Sequence, residues 1–330
     1  MRNPLVLTLC VSLLATPAWA QSAADTPPEQ ILIVGQRPGP GLWKVSRDDH
    51  VLWIFGTYSP LPVKMVWRSQ QVETVLAQSQ EVLGAPGFSL GVGFSQTFNL
   101  ITALPFAIGA KKNPDGALLK DVVPPDAYAR WTVLKRKYIG DDEGIEQERP
   151  IFAAPTLFDK AMAQAGLGND NHVITAIRQI AKKNNVKFRS TQVSLYLDNP
   201  RGALRDFKKS PMEDLECFTK TIDRLEVDLD AMRARANAWA IGDVEQMRTL
   251  SYPDQASACN SAVFNSSVVK SLPGAATLEQ RMRDTWLAAA EKSLATNKST
   301  FALMPVSRIL DPAGVLAALQ AKGYAVEQPD

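Results

Sequence analysis

Apolar residues fall into short runs near both ends of the chain and into helical spacing between them. Leu42 to Val45 and Val51 to Phe55 predict two strands around the polar turn 46–50. The second run, Val-Leu-Trp-Ile-Phe, is apolar on both faces, which predicts a central, buried strand. Helical periodicity predicts a helix over 67–80, then a short strand over 81–85 stopped by Pro86-Gly87. Residues 87–116 follow no single period. Helices are predicted over 125–138, 150–165 and 172–184, with a Gly/Asn/Asp turn at 167–171 and a strand at 186–188. Most of 206–249 reads as amphipathic helix. Ser210-Pro211-Met212-Glu213 is a start signal, and Gly242-Asp243 is an interruption after which a helix restarts. A long helix over 278–295, a strand over 301–304, a helix over 312–322 and a strand over 324–326 complete the chain. Upstream, Ile31 to Val34 is strand-like and Arg37 to Gly41 forces a turn or extended linker. The expected fold is α/β or α+β, with a central mixed sheet built from strands near both chain ends and a large helical middle region.

The first twenty residues change the picture from a cytoplasmic to an exported protein. Arg2 supplies a positive start, 5–16 an apolar run, and Ala18-Trp19-Ala20 small residues where a signal peptidase reads. The run falls short of the roughly 20 residues a membrane span needs. Cleavage is predicted after Ala20, leaving an extended lead over 21–40 and one domain over 41–330. The apolar stretch 97–110 is broken by Pro105 and is too short to span. Cys10 is lost with the signal, so Cys217 and Cys259 remain. In an oxidising compartment they pair as a disulfide, or else stay as two separate buried thiols. Closing a loop of some forty residues stabilises by about 4 kcal/mol in the chain-entropy picture. The formal charge of +2 carries no basic stripe along the sequence, so nucleic acid is not an expected partner.

Several segments in chain order resemble one family. They are Gly41-Leu42-Trp43-Lys44-Val45, Leu52-Trp53-Ile54-Phe55-Gly56-Thr57, Trp239-Ala240-Ile241-Gly242-Asp243, and Asp311-Pro312-Ala313-Gly314-Val315-Leu316 followed by Leu319, Gly323, Tyr324 and Val326. Together they resemble the TraB/GumN family, which is similar to the Tiki metalloproteases and the erythromycin-esterase/ChaN-like group. That resemblance implies a pair of G-x-x-H motifs, each following a strand, meeting with acidic residues in one site. Neutral imidazoles and carboxylates would hold a divalent metal and leave a position open for an activated water.

This chain departs from that pattern at each aligned point. The first motif reads Gly56-Thr57-Tyr58-Ser59, and the second reads Pro305-Val306-Ser307-Arg308. Where the family often has a glutamate after the first helix, the strand reads Val82-Leu83-Gly84-Ala85-Pro86. A leucine-glutamate-threonine segment of the family corresponds to Arg189-Ser190-Thr191. The family's G-V-D turn is partly kept as Gly168-Asn169-Asp170, which makes Asp170 the one candidate pocket acid. A serine hydroxyl is a poor neutral ligand beside imidazole. Arg308 stays protonated. At 4 Å and an effective dielectric of 20 it would repel a divalent ion by roughly 8 kcal/mol. His50 and His172, the only histidines, stand at no ligand position.

The expectation is therefore an exported, periplasmic or secreted protein of this family type without its metal site, and without a required cofactor. It would act as a binding, scaffold or regulatory module toward an unknown protein or a small anionic ligand. Ser59, Lys64 and Arg308 would line the anion site. The competing reading of Arg308 pairs it with Asp170 or Asp311. The competing function is a divergent hydrolase, either metal-dependent or using Ser59 as nucleophile with a base such as His172 or Asp170.

Overall fold

The computed structural model describes residues 39–91, 108–168, 172–209, 213–249, 255–270 and 272–329, with backbone alone at 255–257 and 267. The strand-like run 31–34, the signal segment, Ser210 to Met212 and Asp170 lie outside the described residues.

The architecture is mixed α/β. Ten strands are described: β1 (Leu42–Arg47), β2 (His50–Thr57), β3 (Leu61–Pro62), β4 (Glu81–Leu83), β5 (Gly87–Gly91), β6 (Leu167–Gly168), β7 (Lys187–Arg189), β8 (Gln192–Tyr196), β9 (Ser299–Pro305) and β10 (Ala325–Glu327). Six form one sheet in the order β10-β1-β2-β9-β4-β7. The hairpin β1–β2 and the edge pair β1–β10 are antiparallel. β2, β9, β4 and β7 run parallel. Strands from near both ends of the described chain, β2 and β9, thus meet at the sheet's centre. The apolar run in β2 accounts for this placement, because Leu52, Ile54 and Phe55 are fully buried between β1 and β9.

The helices sort by what they cover. Gln70–Ala77, His172–Lys183 and Leu278–Thr296 bury their apolar stripes in the same core as the sheet, through Val72, Leu76, Ile177, Trp286 and Leu294. Pro125–Tyr138, Pro150–Gln164 and Leu215–Val227 close on a second core, in which Trp131, Phe158, Phe218 and Ile222 meet. Beside it Cys217 and Cys259 form a disulfide with Cα atoms 4.4 Å apart, joining Leu215–Val227 to Gln255–Phe264. Asp214 lies at the seam of this second core. Its carboxylate accepts the Ile151 N–H at 2.9 Å, capping the helix Pro150–Gln164 from another part of the chain. Burial pushes the Asp214 pKa up, and that hydrogen bond pulls against it.

Some boundaries move. The helix expected over 67–80 is Gln70–Ala77, because the Trp67 ring packs on Phe55 and Trp239 at 5.9 and 6.2 Å and so leaves the helical path. The helix expected over 312–322 begins only at Val315, after the turn in which Asp311 Oδ1 accepts the Ala313 N–H. Several elements had no sequence expectation, among them β5, β8 and most of Pro200–Lys209. β5 and β8 pair in parallel as a separate two-stranded sheet, Gly87 opposite Gln192 through Gly91 opposite Tyr196. Pro200–Lys209 is a surface helix with Pro200 its one buried residue.

Candidate functional site

The four parallel strands deliver their carboxyl ends to one edge of the sheet, where ligands of open α/β sheets usually bind. Thr57 stands opposite Pro305, so both family-type motif segments leave the sheet side by side. Leu83 stands opposite Ala302 and Arg189, which brings Gly84-Ala85 and Ser190-Thr191 to the same edge. The fold therefore gathers four of the five segments that the resemblance singles out, the fifth, 168–170, lying mostly outside the described residues.

Glycine is required at position 56. A Cβ there would lie 2.7 Å from the Trp43 ring and 2.8 Å from Val306 Cγ2. The Gly56 carbonyl accepts the Trp239 indole N–H at 2.6 Å, and Trp239 stacks edge-on against Phe55. The Trp-x-x-Gly-Asp segment thereby acquires a local physical account. Trp239 clamps the exit of β2. Gly242 turns the chain at φ +71° where a Cβ would lie 2.5 Å from the Gly39 carbonyl. Asp243 accepts the Gln246 N–H at 3.0 Å and starts the next helix, Val244–Thr249.

Beyond Gly56 the edge carries hydroxyls and guanidiniums. Ser59 is exposed and Lys64 is exposed on the following loop. Arg308 is half-buried on the short helix Val306–Ile309 and makes no hydrogen bond or ion pair with any described residue. Pairing with Asp311 is not observed, since that carboxylate engages the Ala313 N–H. Where the family often places acids, main-chain carbonyls are already engaged. Gly84 O accepts Thr191 Oγ1 at 2.9 Å and Trp286 Nε1 at 3.1 Å, and Ala85 O accepts Thr191 Oγ1 at 3.0 Å. The nearest strand acid, Glu81, is engaged by Ser293, Asn297 and Arg189. His50 Nδ1 lies 2.8 Å from the Asn297 carbonyl at the amino end of β2, away from this edge. His172 opens the helix His172–Lys183, and its Nε2 is buried with no hydrogen-bond partner among the described residues. Among the described residues no three His, Cys, Asp or Glu side chains gather to hold a metal ion. The described donors at the edge, a hydroxyl, a phenol and cationic guanidiniums, do not fit a divalent metal.

The residue after β2 reveals a buried network. Tyr58 OH accepts Arg235 Nε at 3.2 Å, Arg235 NH2 donates to Asp228 Oδ2 at 2.5 Å, and Arg224 Nε donates to the same oxygen at 3.3 Å. Arg235 is 1% exposed. The Arg224 guanidinium also lies 4.9 Å over the Phe158 ring. Burial raises the Tyr58 pKa above its usual value despite the Arg235 donor, so the phenol stays neutral. Burial lowers the Arg224 pKa. At Arg235 burial acts the same way, but Tyr58 and Asp228 outweigh it and the pKa rises. Both guanidiniums remain charged at neutral pH. Asp228, the acid described in this network, is held by two cations.

Sequence reasoning missed Tyr58, Arg224, Asp228 and Arg235. One signal was available: Arg235 precedes Trp239 by four residues, so an inward-facing Trp239 carries Arg235 inward with it.

The model of the TraB/PrgY/gumN family matches residues 41–328. No curated protein and no solved structure matches the chain significantly.

Proposed function

The chain belongs to the TraB/PrgY/gumN family, and on that premise we propose that it is an exported binding module that keeps the family's sheet edge without metal-dependent catalysis. The observation that carries this reading is Arg308. It is a half-buried guanidinium with no partner among the described residues, on the segment beside Ser59 where the resemblance expects histidines. A guanidinium fork binds carboxylate or phosphate well and repels a divalent cation. The site therefore suits a small anion or an acidic group on a partner protein, with Ser59 as a hydroxyl donor and Lys64 as a flanking cation. Export is supported by the amino-terminal segment and is compatible with the Cys217–Cys259 disulfide.

The test uses the mature protein purified from the cell envelope, whose amino terminus should be Gln21. Phosphate and citrate are expected to raise the thermal midpoint of the wild type and not that of Arg308→Ala. A stoichiometric, tightly held divalent metal that is lost on Ser59→Ala would overturn the reading in favour of a metallohydrolase. A fluorophosphonate adduct on Ser59 would overturn it in favour of a serine hydrolase.

A further inference from the structure

We propose that the surface assembled around Arg149 is a docking site for an anionic lipid surface. The lysines that form it come from two distant segments, 111–112 and 208–209, which is why no basic stripe is visible along the sequence. Arg149, 2% exposed, is the hub that brings them together. Its main-chain N–H donates to the Lys111 carbonyl at 2.7 Å, its Nε to the Lys112 carbonyl at 3.2 Å, and its NH2 to the Lys208 carbonyl at 2.8 Å. Two aromatic rings floor the patch. Phe207 lies under the Arg149 guanidinium at 4.7 Å, and Phe152 lies under Lys111 Nζ at 5.9 Å.

No described residue neutralises the ammonium groups. Lys112 Nζ donates to Gln147 Oε1 and Lys208 Nζ to the Ile108 carbonyl, both neutral acceptors. None of Lys111, Lys112, Lys208 and Lys209 makes an ion pair with a described residue. The nearby acids do not change this: Asp214 caps Ile151, and Glu148 faces Lys112 across an isolated bridge without pairing. Asp206, on the same helix as Lys208 and Lys209, and Asp115, three residues after Lys112, are exposed acids beside the patch, and neither pairs with a described lysine of it. Lys208 and Lys209 gain something from the carboxyl end of Pro200–Lys209, but Lys111 and Lys112 have no such support. Ile108, 76% exposed, stands among them, its carbonyl held by Lys208.

Two features favour a lipid surface over an acidic protein. The cations of the patch with no anionic partner among the described residues are lysines, which act as mobile point charges toward a diffuse anionic field, whereas Arg149 is buried and the exposed Arg201 and Arg205 of the same helix are already engaged. The cations also surround an exposed aliphatic side chain, the pairing that a membrane interface rewards.

The experiment is sedimentation of the mature protein with vesicles of phosphatidylglycerol and phosphatidylcholine, compared with phosphatidylcholine alone. Binding is expected only with the anionic vesicles and is expected to weaken with salt. Each lysine near an anionic surface is worth about fivefold in partitioning, so replacing all four by glutamine lowers it by several hundredfold. Lys111→Gln with Lys112→Gln lowers it by about 25-fold and leaves the helix Pro200–Lys209 untouched, which serves if the fourfold variant does not fold. Lys182→Gln with Lys183→Gln, exposed on another helix, leaves binding unchanged. No binding to anionic vesicles, or binding that the patch variants do not weaken, overturns the proposal. Binding of polyglutamate but not of vesicles overturns it in favour of an acidic protein partner. Arg308 lies outside this patch, so failure here leaves the reading of the sheet edge to its own test.

Discussion

Asp228 carries more of the fold than any single acid at the sheet edge, because two guanidiniums converge on one of its oxygens. Buried ion pairs contribute modestly when intact, but removing one partner leaves an uncompensated charge. Asp228→Ala strands Arg224 and Arg235 and is expected to destabilise the protein by roughly 3–5 kcal/mol in urea unfolding. Tyr58→Phe leaves the Asp228 pairs intact and should cost only about 1 kcal/mol. A loss below 1 kcal/mol for Asp228→Ala would mean that water reaches the network. Apart from the four-residue spacing of Arg235 from Trp239, nothing in the sequence marks these residues. Arginine and aspartate on an amphipathic helix ordinarily face solvent, and nothing in composition marks the turn that faces inward. The strands that lead to Ser59 and Arg308, by contrast, were legible, because both are apolar runs followed by a glycine or proline.

At the scale of elements, the end strands and the helices Pro125–Tyr138, Pro150–Gln164 and His172–Lys183 were legible, and the pairing of β5 with β8 was not. β2 and β9 are short apolar runs whose burial follows from composition alone, so their existence could be read directly. β5 and β8 are held by a pairing between residues about a hundred positions apart. β5 begins and ends in glycine, and no local period announces it. The Trp-x-x-Gly-Asp segment is the case where an element boundary and a site coincide. Its tryptophan fixes the exit of β2, and its glycine lets the chain pass within contact of Gly39. Gly242→Ala introduces both an unfavourable positive φ and a backbone collision. It is expected to lower stability by roughly 2 kcal/mol or more. Thermal unfolding of the variant measures this. A change within 0.5 kcal/mol would show that the Gly39 strand-entry segment shifts freely to make room.

On the scale of the molecule, the two largest cores among the described residues imply two levels of local stability. The sheet core is tied by long parallel and antiparallel ladders between the chain's two ends. The helical core depends on helix packing, on Asp214 capping Pro150–Gln164 from a distance, and on the Cys217–Cys259 bridge. The bridge spans a sequence separation of 42, so its loss should release about 4 kcal/mol of chain-entropy stabilisation. That release need not be felt equally, because opening is local wherever a cooperative unit can separate from the rest. Cys217 and Cys259 join Leu215–Val227 and Gln255–Phe264, and neither cysteine touches the sheet core. Paired Cys217→Ala and Cys259→Ala substitution is therefore expected to speed amide exchange in those two helices and in Pro150–Gln164. The amides of β2 and β9 should keep their protection under conditions where the protein remains folded. Equal acceleration in β2 and β9 would instead mean that the two cores unfold as one unit. The bridge would then stabilise the sheet edge itself, and the Arg308 site would respond to reduction along with the helices.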